Sequence, residues 1–527
     1  VVVVITLLSA CSEDTSTEKE KEQDASDNLN ESGMPIVNET ITLNMMAGMS
    51  NHHVDNDWND LFVWNEYEKM TNINVEWEQV PSNIEEKRNL ALASDTLPDV
   101  FYVTNISNLD LFKYGQQGTI LKLNDLIDQY APNLKKLMNE NPDIKKAITF
   151  PDGNIYSLPT VVSSDFLALR VQSAPWYNQN WLDALGMDVP ETTDEFYKYL
   201  KAVQQEPPSG GEVDEIPYGG TNINDLIGWL QGSFGVGNRG LANANIDLHP
   251  DEDKVRFYAT TDGYKDLMEY INKLYSEGLI TKNIFNIEVD QYLANASEGL
   301  YGSSVHFNPV KILGEEIGKN YVSGTTLEGP NGDRNFVKIS PTTYSTGNFA
   351  ITKQNENPAA TVRWLDYFYS DEGAKLFYMG IEGETYVEGE DGSYEYVDKI
   401  NNNPDGLTFE QAMAKYVPWI GMPMGVIKQE YFLGTASSPG ATEAAKKQEP
   451  FLPEEIWPRF TYTPDESNVL LTLGTDIDKY VLEMRDKFIA GEVPISEWDN
   501  YVKTVEDMGL DEYMEIQQAA YERYKDN

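Results

Sequence analysis

The sequence predicts an α/β fold divided into two lobes, and three observations carry that expectation. Strand candidates at Ile41–Met46, Ile73–Glu78 and Asp99–Val103 alternate with two helical stretches within about 60 residues, the βαβαβ order of an open, mainly parallel sheet. The chain has 527 residues, far more than one growing core accommodates. Helix-rich stretches are twice interrupted by extended chain, at 151–172 and at 337–352, where the polypeptide would cross between lobes.

Each element has a local reason. Asp57 is placed to cap a helix running through about Met70, with Leu61, Trp64 and Tyr67 or Glu68 as its inner face. Ile73, Val75 and Trp77 alternate with Asn74, Glu76 and Glu78, as a half-covered strand requires. Ser82 and Glu85 have capping-box spacing for a helix through Ala93, and Thr192 and Glu195 repeat that spacing ahead of Phe196, Leu200 and Val203. Thr261 can cap a helix with Tyr264, Leu267, Ile271 and Leu274 on one side, stopped by Gly278. Asn357 and Pro358 start another at cap and first position. Residues 107–150 read as short helices, 382–395 as an acidic surface hairpin, and 465–527 as helical, with Trp498, Tyr501 and Val505 at packing spacing.

Open α/β sheets bind ligands beyond the carboxyl ends of their strands. The loop 48–57 and the turn after Val103 lie there, so Asn51, Asp57, Trp58 and Asn105 are candidate contacts, with the helix cap as the competing role of Asp57. His52 and His53 are adjacent but lack a third ligand at metal spacing and read as loop residues. Gly235, Gly237 and Gly240 resemble a phosphate-cradling loop only superficially, because no strong strand leads in and no lysine follows. That stretch reads as a polar, mobile wall carrying Trp229 and Phe234, with Trp229 equally suited to a core. Phe307 and Asn308 end a strand candidate, and Trp419, set between Pro418 and Ile420 in irregular chain, is a rigid aromatic platform.

Composition narrows the partners. A formal net charge of −47 argues against nucleic acid and phospholipid headgroups, and no apolar run after residue 11 approaches a membrane span. The 31 tyrosines and 10 tryptophans supply many rings with a polar edge. Val1–Leu8 is apolar apart from Thr6, small residues follow, and Cys11 is the only cysteine, which excludes a disulfide within one copy. Leu8-Ser9-Ala10-Cys11 resembles the bacterial lipoprotein signal and implies acyl groups on Cys11. From Ser12 to Pro35 there are eight acidic residues and two lysines with little to bury, the composition of a flexible spacer.

Seven ordered blocks extend the resemblance along the chain: LSAC at 8–11, LPDVFYV at 97–103, GNIYSLP at 153–159, NWLDALGMDVPETTDEF at 180–196, DEIPYG at 214–219, YINKLYSEGLI at 270–280 and WLDYFYSDEGAKLFYMGIEGETY at 364–386. With them the chain resembles the family 1 extracellular solute-binding proteins, lipoprotein receptors of carbohydrate-importing ABC transporters. That resemblance implies a periplasmic-binding-protein-like fold, two α/β lobes joined by a hinge of several strands and closing on sugar. The domains expected are a signal remnant at 1–10, a lipidated cysteine and disordered acidic linker at 11–37, an N-terminal lobe from 38–163 and 345–440, and a C-terminal lobe from 164–344 and 441–527. The partners implied are an oligosaccharide and ABC permease subunits, with the membrane reached only through the lipid, no nucleic acid, and a monomeric receptor at the outer face of the cell membrane.

Sugar rings present C–H faces ringed by hydroxyls, so a site needs aromatic platforms and convergent polar groups. Trp176, Trp181, Trp229, Phe307, Tyr344 and Trp419 are the candidate platforms, and Asn51, Asp165, Arg170 and Glu382 the candidate polar partners. Trp181 matches a tryptophan that is structural elsewhere in such blocks. No cofactor is required. The segment EPPSGGEVDEIP resembles the calcium loop of the alginate-oligosaccharide-binding branch, with Glu206, the Glu212 backbone, Asp214 and Glu215 at ligand positions. Pro208 and Gly210 stand where oxygen side chains are needed, which leaves a degenerate cage for a structural Ca2+. No bond need be made or broken. A peptide-binding lipoprotein, a secreted glycoside hydrolase with paired carboxylates and a purely structural surface protein are the competing readings.

Overall fold

The computed structural model describes residues 27–53, 55–211 and 214–527. The lipidation candidate Cys11 and the metal candidate Glu212 lie outside the described residues. The chain divides into two compact units. Unit 1 takes the chain up to Glu140 with Asn154–Thr160 and Ser345–Val426; unit 2 takes Asn141–Gly153, Val161–Tyr344 and Ile427–Asn527.

The units differ from the expected lobes at 141–153, 161–163 and 427–440. Asn141–Gly153 belongs to unit 2, because Ile144, Ala147, Ile148 and Phe150 are buried there and the helix Pro142–Ile148 packs on the C-terminal helix Leu510–Asp526, with Tyr524 donating to Asp143. Residues 427–440 also belong to unit 2 rather than to the N-terminal lobe, since Phe432 packs edge-on against Phe166 at 5.9 Å. The strands Thr160–Val162, Thr343–Ser345 and Val426–Ile427 form one three-stranded sheet, and in each of them the chain passes from one unit to the other.

In unit 1 the strand Ile41–Gly48 pairs in parallel with both Ile73–Val80 and Val100–Tyr102. Phe349–Ile351 adds an antiparallel edge beside Val100–Tyr102. The βαβαβ reading therefore gives the right strands and the right sense. Trp64 stacks on Trp77 at 5.2 Å, and Trp58, Tyr102, Trp364 and Phe368 close round them at centroid distances of 5.0–6.4 Å. Such offset and edge-to-face pairs add to the burial of the rings themselves. Asp57 caps a single 3-10 turn, Trp58–Asp60, and the α-helix starts after it, at Phe62, ending where Asn72 turns left-handed at φ 59°. The Ser82–Glu85 capping box does not form: Asn83 sits at the cap of Ile84–Ser94 in left-handed backbone with no side-chain capping bond.

Ordered chain begins earlier than the expected end of the linker at residue 37. Ile36 and Val37 are buried, both their amides donate to the Thr71 carbonyl, and Arg363 donates to the carbonyls of Asn30 and Gly33. Two apolar side chains and a guanidinium thus hold a stretch whose composition alone predicts disorder.

Unit 2 is built on the strands Tyr321–Ser323, Ala174–Asn178, Tyr301–His306 and Ile216–Tyr218, in that order, antiparallel except for the last pair. Tyr177, Phe196, Tyr199 and Trp229 interlock on it. The Thr192–Glu195 capping box is present on Thr193–Gln205, and Thr261 caps Asp262–Ser276, which packs against Thr475–Ala490. The glycine-rich stretch is a folded wall with an internal anion. The Gly237 amide donates to Asp247 Oδ2 at 2.8 Å and the Asn238 amide at 3.3 Å, while Arg256 takes both carboxylate oxygens at 2.8 and 2.6 Å.

Candidate functional site

The carboxyl edge of the unit 1 sheet is where loops leave Gly48, Val80 and Tyr102 side by side. The loop 48–57 is pinned rather than free. Gln79 accepts from the Trp58 amide at 2.7 Å and donates to the Asn56 carbonyl at 2.8 Å, and Ser50 Oγ donates to the Ile420 carbonyl at 2.7 Å. Gly421, at φ +76°, allows that approach, since a Cβ there would lie 2.8 Å from Ser50 Cβ. His53 is fully buried and accepts from Trp58 Nε1 at 3.2 Å; burial, helped by the neighbouring His52, lowers its pKa to about 4. It is therefore a neutral core imidazole.

Sequence candidates in unit 1 separate into two kinds. Asn51, Asn105 and Glu382 are exposed at loops, and Asp57 is exposed with its carboxylate engaged by the Asn59 amide at 2.9 Å. Trp58 is 0% exposed within the ring cluster, so its faces meet other rings and not a ligand. Trp419 lies in irregular chain as expected, but it is anchored: Nε1 donates to the Tyr378 carbonyl at 2.6 Å and the ring is 8% exposed.

Unit 2 places its candidates as follows. Trp229 is 1% exposed and packs on Phe196 at 5.2 Å, which makes it core. Trp181 covers Gly302 closely enough that a Cβ there would sit 3.1 Å from its ring, again a packing role. Trp176 is buried, lies parallel to His306 at 6.0 Å and donates to the His306 carbonyl at 3.0 Å. Burial lowers the His306 pKa to about 3, and both ring nitrogens lack hydrogen-bond partners. Phe307 follows that strand half-buried, and Tyr344 is exposed. Asp165 is exposed and accepts from Ser163 Oγ; Arg170 donates to the Ser340 carbonyl at 3.1 Å, in the chain ahead of the strand Thr343–Ser345.

Sequence reasoning named Asn105 and the turn after Val103 but missed Arg88, Thr104 and Asn348 around them. Val103 and Asn105 have φ of 47° and 51°, Arg88 is buried beneath them, and Thr104 Oγ1 and Asn348 Oδ1 are buried without partners. Nothing in the string VTN signals left-handed backbone at Val103, a β-branched residue, whereas Asn105 is of a type that adopts it.

Of the calcium candidates, Glu206, Asp214 and Glu215 lie among the described residues. Glu206 and Asp214 are exposed, and Glu215 Oε1 accepts from the Ser209 amide at 2.5 Å. Among the described residues no group of three or more acidic, histidine or cysteine side chains is placed to hold a metal ion. Among the described residues, too, no helix is long and apolar enough to cross a membrane.

A parallel sheet with loops gathered at its carboxyl edge, a second α/β unit and three linking strands define a two-lobed binding protein. Residues 56–375 match the bacterial extracellular solute-binding protein family, and the chain belongs to it. Proteins of this kind bind and hand over solutes; they are not enzymes. Among individual proteins it is 28% identical over 485 residues to the fructooligosaccharide ABC transporter substrate-binding protein FusA of Streptococcus pneumoniae, a match covering 89% of this chain and 88% of that one. The structure of FusA in complex with kestose superimposes with a TM-score of 0.72 at 27% identity, covering 92% of this chain and 100% of that one, and a further FusA structure is of an EF-hand mutant with fructo-nystose. A human-milk-oligosaccharide (HMO)-binding protein from Bifidobacterium longum infantis reaches a TM-score of 0.77 at 21% identity, covering 92% and 99%. The alginate-binding protein AlgQ2, solved without calcium, reaches 0.65 at 22%, covering 92% and 99%. Both of these share the fold, so the alginate branch is not singled out.

Proposed function

We propose that the chain is the oligosaccharide receptor of an ABC importer, carried outside the cell on acyl groups at Cys11. The observation that carries this reading is the 28% identity to FusA across nearly the whole of both chains. Exposed amides and carboxylates at loop ends, Asn51 and Asn105 in unit 1 and Asp165 in unit 2, are the hydroxyl-binding groups the reading assigns, with the half-buried Phe307 and exposed Tyr344 as its ring surfaces. Sugar C–H faces and hydroxyls need both kinds. Kestose is the first ligand to try, followed by gluco-, galacturono- and mannooligosaccharides. Isothermal titration calorimetry on the chain without its first ten residues should give a saturable isotherm with at least one of them. Binding of none, with a peptide library binding instead, would overturn the assignment.

The described part of the loop, 206–211 with 214 and 215, is read as one that holds its shape without calcium. Glu215 closes it on the Ser209 amide, and Gly210 and Gly211, at φ +75° and +80°, supply the turn.

A further inference from the structure

We infer that the turn Val103–Asn105 is the ligand-orienting element of unit 1, with Asn105 as a specificity-determining contact and Arg88 as the positioning residue that holds it. The inference deepens the saccharide-receptor reading and rests on it.

The turn follows directly on the strand Val100–Tyr102, at the edge where open α/β sheets bind their ligands. Its backbone is strained. A β-branched residue at positive φ is a true outlier, and Val103 has φ 47°. Such strain persists only where the surroundings over-determine it, and it concentrates at ligand-binding positions. The surroundings here are explicit. A Cβ at Gly48 would lie 2.6 Å from the Val103 carbonyl oxygen, so the neighbouring strand abuts the turn. The Val103 amide donates to the Asn348 carbonyl at 2.6 Å and the Ile106 amide to Gly347 at 2.9 Å.

Arg88 completes the clamp. It is 4% exposed, and one guanidinium nitrogen donates to the carbonyls of Thr104 at 2.5 Å and Asn105 at 2.7 Å. The other nitrogens reach Asn89 Oδ1 at 3.1 and 3.0 Å, and among the described ion pairs none involves Arg88. A buried cation satisfied by two successive carbonyls fixes the direction of the peptide between them, which a shorter or neutral side chain cannot do.

What this geometry offers is polar and unpaired. The Asn105 carboxamide is exposed and makes no described hydrogen bond. Beside it Thr104 Oγ1, on a residue with no exposure, and Asn348 Oδ1, on a residue 6% exposed, are buried without partners. Buried polar atoms left unpaired are rare in folded proteins and ask for a partner. A saccharide hydroxyl, at once donor and acceptor, matches the exposed Asn105 carboxamide, while Thr104 Oγ1 and Asn348 Oδ1, closed to solvent, mark a turn held without its full complement of hydrogen bonds.

The test uses the chain without its first ten residues, kestose and the oligosaccharide panel above, and three variants. Asn105→Ala should weaken binding about tenfold, with only the small drop in melting temperature expected for alanine at φ 51°. Val103→Gly should leave melting unchanged or raise it, because strain is relieved, and yet weaken binding severalfold, because the turn is no longer held. Arg88→Met should weaken binding, and Arg88→Lys should not restore it. Binding by Asn105→Ala and Val103→Gly within twofold of the parent would overturn the inference while leaving the receptor reading intact. A parent chain that binds no saccharide would overturn both.

Discussion

The loop Gly235–Gly240 in unit 2 and the turn Val103–Asn105 in unit 1 both present backbone in left-handed conformations beside an arginine, and they use it in opposite ways. In unit 2 the amides of Gly237 and Asn238 converge on a carboxylate that the chain itself supplies, and Arg256 neutralises it from the other side. In unit 1 the arginine points at carbonyls, and the polar side chains at the turn have no counterpart in the chain. The first arrangement is complete and serves stability. The second is incomplete and has capacity left for a ligand. A glycine-rich loop is thus no guide to a site until the anion it faces has been found.

The largest effect expected from that contrast falls on the closed pair. Asp247 has no solvent exposure and the Arg256 side chain little, so Arg256→Ala leaves a buried carboxylate short of its cation. The cost expected is about 3 to 5 kcal/mol, read as a lower denaturant midpoint with hydrogen exchange rising first at residues 235–257. Replacing both partners by apolar residues should cost clearly less than the single change. A single variant as stable as the parent would show that the pair is dispensable and the contrast between the loops misplaced.

Acid separates the two units further. His306 is buried neutral with its pKa lowered to about 3, and His53 likewise to about 4. In the unfolded chain both take up a proton near 6.5, so stability present above that pH is lost as pH falls, down to about 3 in unit 2 and about 4 in unit 1. Unit 1 also holds Asp366, whose pKa burial raises to about 6 against the pull of donors from Leu134 and Asn133. Its contribution runs the other way, full below its unfolded value of 3.8 and lost as pH rises through 6, so it offsets part of the His53 loss on acidification. Burial also raises the Asp478 pKa in unit 2, an offset in the same direction, so unit 2 should open first between pH 6 and 4 by on the order of 1 to 2 kcal/mol. Hydrogen exchange at pH 4.5 against pH 7 checks this, and His306→Leu should flatten the slope in unit 2 alone.

Much of the fold is written in short-range pattern. The alternation in Ile73–Val80, the capping box at Thr192 and the Thr261 cap are each decided within a few residues, and each forms. Where local signals compete they mislead: Ser82 and Glu85 have the right spacing, but Asn83 takes the cap position in left-handed backbone. Long-range partners are invisible in the same text. Nothing near Pro132 announces that its helix is capped by Asp366, 233 positions from Asn133. The site suffers most from this. Tryptophan identity says that a large ring will be buried against something, and for Trp58, Trp181 and Trp229 that something is the core of a unit. Exposed loop residues such as Asn51 and Asn105 could be read from their place at strand ends, while Arg88 and Asn348 could not, because their neighbours come from distant chain.

The smallest effect expected is also the one that tests whether a loop can keep the outline of an ion site after losing the ion. In 206–215 the Glu215 carboxylate accepts from the Ser209 amide, and a turn from the Pro207 carbonyl to the Gly210 amide at 2.9 Å shapes the approach. A carboxylate engaged in that way has one oxygen fewer for a cation, and Pro208 and Gly210 bring none. Millimolar calcium and excess chelator should give the same melting temperature. Glu215→Ala should lower stability by about 1 kcal/mol, equally with and without calcium. A calcium-dependent rise in melting that Glu215→Ala abolishes would mean that the carboxylate leaves the amide for a metal ion, and that the loop is a working cage with fewer side-chain ligands than calcium ordinarily takes.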